Sequence, residues 1–133
     1  MSFNCTDAFL TIATPDLEKA ISFYSKLLAR EPKPYIPNVY AEFNLKSLRL
    51  AIFKPKEDNE AEFNNSLHSG MSICFEVEDL TAAIRYLTEI GYSPEGNIKQ
   101  ASHGREIYAY DPMNNRLILH QALNSDSVST TSN

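Results

Sequence analysis

The stretch Phe9-Leu10-Thr11-Ile12-Ala13-Thr14-Pro15-Asp16-Leu17-Glu18-Lys19-Ala20-Ile21-Ser22-Phe23-Tyr24 decides the fold, because its plan returns later in the chain. Met71-Ser72-Ile73-Cys74-Phe75-Glu76-Val77 leads into Asp79-Leu80 in the same way, at an offset of 79 − 16 = 63 residues. Under that shift Leu10 meets Ile73, Ile12 meets Phe75, Leu17 meets Leu80, Ala20 meets Ala83 and Ile21 meets Ile84. Three of these five matches are identities, and the other two keep an apolar residue. Such self-similarity predicts two copies of one supersecondary unit.

Each copy starts with a short strand and then a helix. Asp16 and Asp79 are N-caps: a carboxylate accepts otherwise unpaired backbone N–H groups and suits the positive helix end. Leu17, Ala20, Ile21, Tyr24, Leu27 and Leu28 recur at the spacing of one buried helix face, as do Leu80, Ala83, Ile84, Leu87 and Ile90. Pro32 blocks extension of the first helix, and Gly91 suits a left-handed end to the second. Strands follow. Tyr40 to Asn44, the turn Leu45-Lys46, and Ser47 to Phe53 read as a hairpin, as do Arg105 to Tyr110, Asp111 to Asn115, and Arg116 to His120. Here the offset is 118 − 51 = 67, so the second half carries a small insertion. Short strands near Lys33 to Ile36 and Ile98 to Ser102 complete a βαβββ unit, twice.

Size and charge narrow the function. The chain has 133 residues, 43% of them apolar, which suits one domain with a sizeable core. With 12 basic and 17 acidic side chains the net charge is −5, and no Lys/Arg cluster offers a track for nucleic acid. Cys5 and Cys74 lie in no metal-binding spacing. No apolar run is long enough to cross a bilayer, and the first residues do not read as a signal peptide. The expectation is a soluble, cytoplasmic domain over residues 1–123, with module one at 7–53, a linker at 54–70, module two at 71–121 and a disordered Ser/Thr/Asn-rich tail at 124–133.

Paired βαβββ modules with an Asp-Leu helix start and the turn Asp111-Pro112-Met113-Asn114-Asn115 resemble the vicinal oxygen chelate superfamily. That group holds glyoxalase I, extradiol dioxygenases, and fosfomycin and bleomycin resistance proteins. The resemblance spans Asp7 to Gln121. It implies an α+β fold in which two tandem βαβββ modules form an open, curled β-barrel around a concave site, with the helices outside. It also implies a divalent metal held by four strand side chains, typically His, Gln or Glu, two from each module. Carried across by distance from the cap Asp and from Asp111-Pro112, those positions are Phe9, Ala51, Ser72 and Ile118. Such side chains offer at most one weak hydroxyl donor, so no metal cofactor is expected at the inherited site.

Strand alternation places Leu10, Ile12, Ile73, Phe75 and Val77 under the helices. The opposite face then carries Phe9, Thr11, Arg49, Ala51 and Phe53 from one module. From the other it carries Ser72, Cys74, Glu76, Tyr108, Tyr110, Arg116, Ile118 and His120. Aromatic and aliphatic walls with a few polar groups suit a small-molecule pocket. We therefore expect ligand contacts from Phe9, Thr11, Arg49, Phe53, Ser72, Glu76, Tyr108, Tyr110, Arg116 and Ile118. Each has a plainer reading. The apolar residues fill a collapsed barrel, Tyr108 serves a core or dimer interface, Glu76 pairs with Arg49 or Arg116 or sits at a wet rim, and Cys74 is a small buried hydrophobe.

Three function classes compete. The leading one is a non-catalytic, homodimeric binder of a partly apolar small molecule, as the bleomycin resistance branch implies. The alternative is a metal-dependent lyase, isomerase or dioxygenase with relocated ligands drawn from His68, His103, Glu106 and His120. A protein-interaction module with a filled barrel is the third.

Overall fold

The computed structural model describes residues 4–64 and 69–123. It divides into two units, Met1–Asn65 and Ser66–Asn133, each built as strand, helix and three further strands. The first unit holds β1 (Leu10–Ala13), α1 (Leu17–Leu28), β2 (Tyr35–Ile36), β3 (Tyr40–Asn44) and β4 (Arg49–Phe53). The second holds β5 (Ile73–Glu76), α2 (Leu80–Glu89), β6 (Lys99–Ala101), β7 (Gly104–Tyr110) and β8 (Arg116–Ala122). The sheet orders are β1-β4-β3-β2 and β5-β8-β7-β6, so each first strand crosses over to lie parallel with its unit's last. The fold is α+β, in two tandem modules.

Both helices begin where the caps predict. Asp16 Oδ1 accepts the Lys19 N–H at 3.1 Å, and Asp79 Oδ1 accepts that of Ala82 at 3.0 Å. A second tie holds α2 to its sheet: the Leu80 N–H donates to Gln121 Oε1 on β8 at 2.7 Å. Ala29, with φ of 53°, closes α1, and Gly91, with φ of 97°, follows α2. Leu17, Ala20, Ile21 and Tyr24 are buried as their spacing requires, whereas Leu27 and Leu28 are half-buried near the helix end. Phe23 is buried too, its ring edge-on to Tyr24 at 5.0 Å between centroids. Each such fully buried side chain stabilises the fold by roughly 1.5–3 kcal/mol.

Strand register locates the insertion. Leu10 pairs with Leu50 and Ile73 with Leu117, so first strands correspond at 73 − 10 = 63 and last strands at 117 − 50 = 67. Phe43 opposes Leu50 and Ala109 opposes Leu117, giving 109 − 43 = 66 for the strands between. Three of the four extra residues therefore precede β7. The fourth lies in the β7–β8 turn, which spans residues 111–115 against 45–48 in the first hairpin.

That longer turn is built around a buried carboxylate. Asp111 Oδ1 accepts the N–H groups of Met113 and Asn115 at 2.9 and 2.8 Å, and Oδ2 accepts Asn115 Nδ2 at 2.9 Å. Within the stretch read as a linker, Glu57–Phe63 forms a 3₁₀ helix with no buried residue. One expectation needs amending. The first hairpin turn is four residues rather than two, closed by the Leu45 N–H on Leu48 O at 2.8 Å. The tail at 124–133 lies outside the described residues, as does His68.

Candidate functional site

Each sheet has a face turned from its helix, and alternation assigns it. In the second unit Ile73, Ile107, Ala109, Leu117 and Leu119 are buried, and α2 packs on β8. The other face carries Cys74, Glu76, Glu106, Tyr108, Tyr110, Arg116, Ile118 and His120, matched across strands by the pairs Cys74 with Ile118, Tyr108 with Ile118, and Tyr110 with Arg116. In the first unit Thr11 lies beside Ala51, and Glu42 opposes Ala51 from the other side.

Most expected site residues sit on these faces. Arg49 gathers the first cluster: its Nη2 meets Asp7 Oδ2 at 2.7 Å, its Nε lies 3.8 Å from Glu42 Oε1, and its guanidinium covers the Phe9 ring at 4.2 Å. The hydrogen bond from Arg49 holds the Asp7 carboxyl below its ordinary range, helped by the Ala8 N–H. Thr11 is exposed and Ala51 fully buried. In the second unit Arg116 joins Ser72, its Nε donating to Ser72 Oγ at 2.7 Å and its Nη2 to Ser69 O at 2.7 Å. Tyr108 is half-buried with the Lys99 ammonium 5.1 Å from its ring centre, Tyr110 is exposed, and Ile118 is half-buried.

Two expectations are corrected here. Glu76 lies at a wet rim, its side chain 65% exposed, but the ion pair with Arg49 or Arg116 does not form: its Oε1 lies 2.6 Å from His120 Nδ1. The arginines are engaged by Asp7 and Glu42, and by Ser69 and Ser72, while parallel register sets Glu76 directly beside His120. Cys74 is exposed, not buried. Its thiol pKa is raised, first by desolvation and then by the charges of Glu76 and Glu106, so the reactive thiolate is disfavoured.

One transverse row differs sharply between the units. In the second it reads Glu76 on β5, His120 on β8, Glu106 on β7 and Lys99 on β6, each paired with the next. The equivalent row in the first reads Ala13, Phe53, Tyr40 and Ile36. The apolar row borders a cavity of about 400 Å³ whose walls include Val39, Tyr40, Phe53 and Phe63, with Lys54 and Lys56 beside them. Phe53 and Phe63 meet edge to face at 5.3 Å, so the 3₁₀ helix supplies part of the wall. Of the sequence-expected residues only Phe53 lines this cavity; Val39 and Phe63 were missed because they fall in polar surroundings without strand or helix periodicity.

The polar row gathers the histidines. His103, in the turn before β7, brings Nδ1 to 2.7 Å from His120 Nε2. One ligating atom each from His103, Glu106 and His120 lies within 4.8 Å of the others. His120 is buried, Glu106 half-buried and His103 exposed. In the sequence these three are candidates for relocated ligands, with no motif joining them. The hairpin register is what does so, setting Glu106 opposite His120.

Comparisons with known proteins agree on the architecture. Residues 8–119 match the family described as Glyoxalase/Bleomycin resistance protein/Dioxygenase superfamily. Among solved structures, a glyoxalase/bleomycin resistance protein from Catenulispora acidiphila is similar at 22% identity and TM-score 0.64, over 88% of this chain and 98% of that one. A lactoylglutathione lyase from Agrobacterium tumefaciens is similar at 18% identity and TM-score 0.67, over 88% and 94%. A bleomycin-binding protein in complex with bleomycin is similar at 17% and 0.63, over 90% and 100%. Comparison with curated protein sequences gives no match.

Proposed function

The chain belongs to the glyoxalase/bleomycin resistance protein/dioxygenase superfamily, and we propose that within it the chain binds a small, partly apolar or aromatic molecule without catalysing its conversion. The observation that carries this reading is the set of side chains at the family's four ligand positions. Counted from the cap Asp and from Asp111-Pro112, those positions fall on Phe9, Ala51, Ser72 and Ile118, and none supplies the carboxylate or imidazole that a divalent cation needs. The cavity beside Phe53 supports it: about 400 Å³ with aromatic walls falls within the ~300–1,000 Å³ range of ligand pockets. Lys54 and Lys56 favour a ligand with an anionic edge. A neighbouring structure holds bleomycin, which lends the fold a precedent for binding.

The test is native mass spectrometry of the purified protein for a co-purified molecule, followed by thermal-shift screening of small aromatic acids and neutral aromatics. A ligand at a hundred times its Kd stabilises the fold by roughly 2.7 kcal/mol. Phe53→Ala, which strips one wall, should weaken that ligand at least tenfold. Absence of any stabilising compound at millimolar concentration, or binding indifferent to the Phe53 change, would overturn the reading. A homodimer belongs to the same proposal, and light scattering should give twice the 15.0 kDa chain mass. The catalytic alternative needs a cation held elsewhere, and among the described residues its support is the cluster of His103, Glu106 and His120.

A further inference from the structure

We propose that His103, Glu106 and His120 form a divalent transition-metal site, displaced from the family's positions and contained wholly in the second unit. The proposal does not depend on the small-molecule reading, which rests on other residues and on the first unit's cavity.

His120 Nδ1 lies 2.6 Å from Glu76 Oε1. An ionised carboxylate only accepts hydrogen bonds, so the imidazole hydrogen sits on Nδ1 and leaves a lone pair on Nε2. Carboxylate-to-histidine pairing of this kind is how proteins fix the tautomer and orientation of a metal-binding imidazole and raise its basicity. The bare Nε2 faces His103 Nδ1 at 2.7 Å, where the two rings share one hydrogen. A cation can take that hydrogen's place once the His103 proton moves to its other nitrogen. Two imidazoles on one tetrahedral zinc, with bonds of ~2.0–2.1 Å, hold their nitrogens about 3.3 Å apart. The pair must therefore open by roughly half an ångström. His103 is exposed and sits in a turn, so its ring has room to move, while buried His120 stays fixed.

Glu106 completes the set from the strand opposite His120, with a carboxylate oxygen within 4.8 Å of a ring nitrogen of each histidine. Two imidazoles and one carboxylate select zinc, cobalt, nickel, copper or iron over magnesium or calcium, which favour oxygen-only shells. Three protein donors leave a coordination position open to water or to an added ligand.

The experiment is a Zn²⁺ titration of chelator-treated full-length protein by calorimetry, paired with the visible spectrum of the Co²⁺ form. One Zn²⁺ per chain and a tetrahedral or five-coordinate Co²⁺ spectrum are expected. His103→Ala and His120→Ala should each weaken Zn²⁺ at least a hundredfold, and Glu106→Gln and Glu76→Gln ten- to a hundredfold. His68→Ala, which removes the remaining histidine of the sequence, should leave the stoichiometry intact. His103 carries the decision if His120→Ala fails to fold, because an exposed turn residue can be truncated without opening the core. No binding of Zn²⁺ or Co²⁺ at millimolar concentration, or binding untouched by His103→Ala, would overturn the site. Either result would leave the Phe53 cavity and its ligand screen unaffected.

Discussion

Gly104 opens β7 opposite Ala122 at the end of β8. Its φ of 149° is in the range that side chains rarely adopt, and a Cβ built there would collide with the Gln121 carbonyl oxygen and crowd Ala122 Cα. Both obstacles are backbone in the partner strand, so no rotamer change relieves them. Gly104→Ala should cost about 3 kcal/mol or more, lowering Tm by about 10 °C in a thermal melt. Because His103 precedes it, the same change should weaken Zn²⁺ as well. A melt within a degree or two of wild type would show that the strands can separate at this point. Glu76 teaches a different lesson at the same scale. A lone carboxylate on a sheet face must find a partner or stay wet, and arginine is the usual guess from sequence. Here both arginines have other partners, and the imidazole one strand away makes the contact.

The helices and paired strands were the legible part, because each states itself locally. Asp caps, apolar residues at three- and four-residue spacing, and alternation along strands fix an element without knowledge of the rest. The 3₁₀ helix Glu57–Phe63 escaped notice since it buries nothing and thus leaves no apolar period. Phe63, exposed yet walling the cavity, escaped with it. Meetings across the hairpin were legible only in principle: the Asp111–Asn115 turn sets the register, and the register brings 106 against 120. Two outcomes test the elements. Asp79→Ala removes the α2 cap and should cost about 1 kcal/mol, or roughly 4 °C in Tm, while the Leu80 bond to Gln121 keeps the helix docked.

The second concerns the segment before β1, which Asp7 fastens to Arg49 on β4. The folded Asp7 pKa lies below its ordinary 3.8, with the Arg49 hydrogen bond as the largest cause. A depressed carboxylate pKa adds stability that is present above 3.8 and lost as pH falls through the lower folded value. The gap in denaturation midpoint between wild type and Asp7→Asn should therefore be small and constant from pH 5 to 7. It should close on acidification below pH 4. A gap that persists at the acid end would assign the difference to packing rather than charge.

At the scale of the whole molecule, duplication has produced two versions of one plan with different surfaces. The same transverse row is Ala13, Phe53, Tyr40 and Ile36 in one unit and Glu76, His120, Glu106 and Lys99 in the other. Backbone pairing is indifferent to that exchange, since alternate side chains project from the sheet whatever their chemistry. Divergence could thus proceed one row at a time without disturbing the cores beneath α1 and α2. Among the described residues no helix is long and apolar enough to cross a membrane. The described surface instead leaves Met71, Tyr110, Ile36 and Leu123 substantially exposed.

Containment of the histidine cluster within a single unit has a genetic corollary. Wherever a centre is assembled from two polypeptides, one defective allele product spoils its healthy companion. Here all three proposed donors are encoded in one contiguous stretch, from His103 to His120. Co-expressed wild-type and His103→Ala chains should accordingly take up zinc in simple proportion to the wild-type fraction, with neither copy poisoning nor rescuing the other.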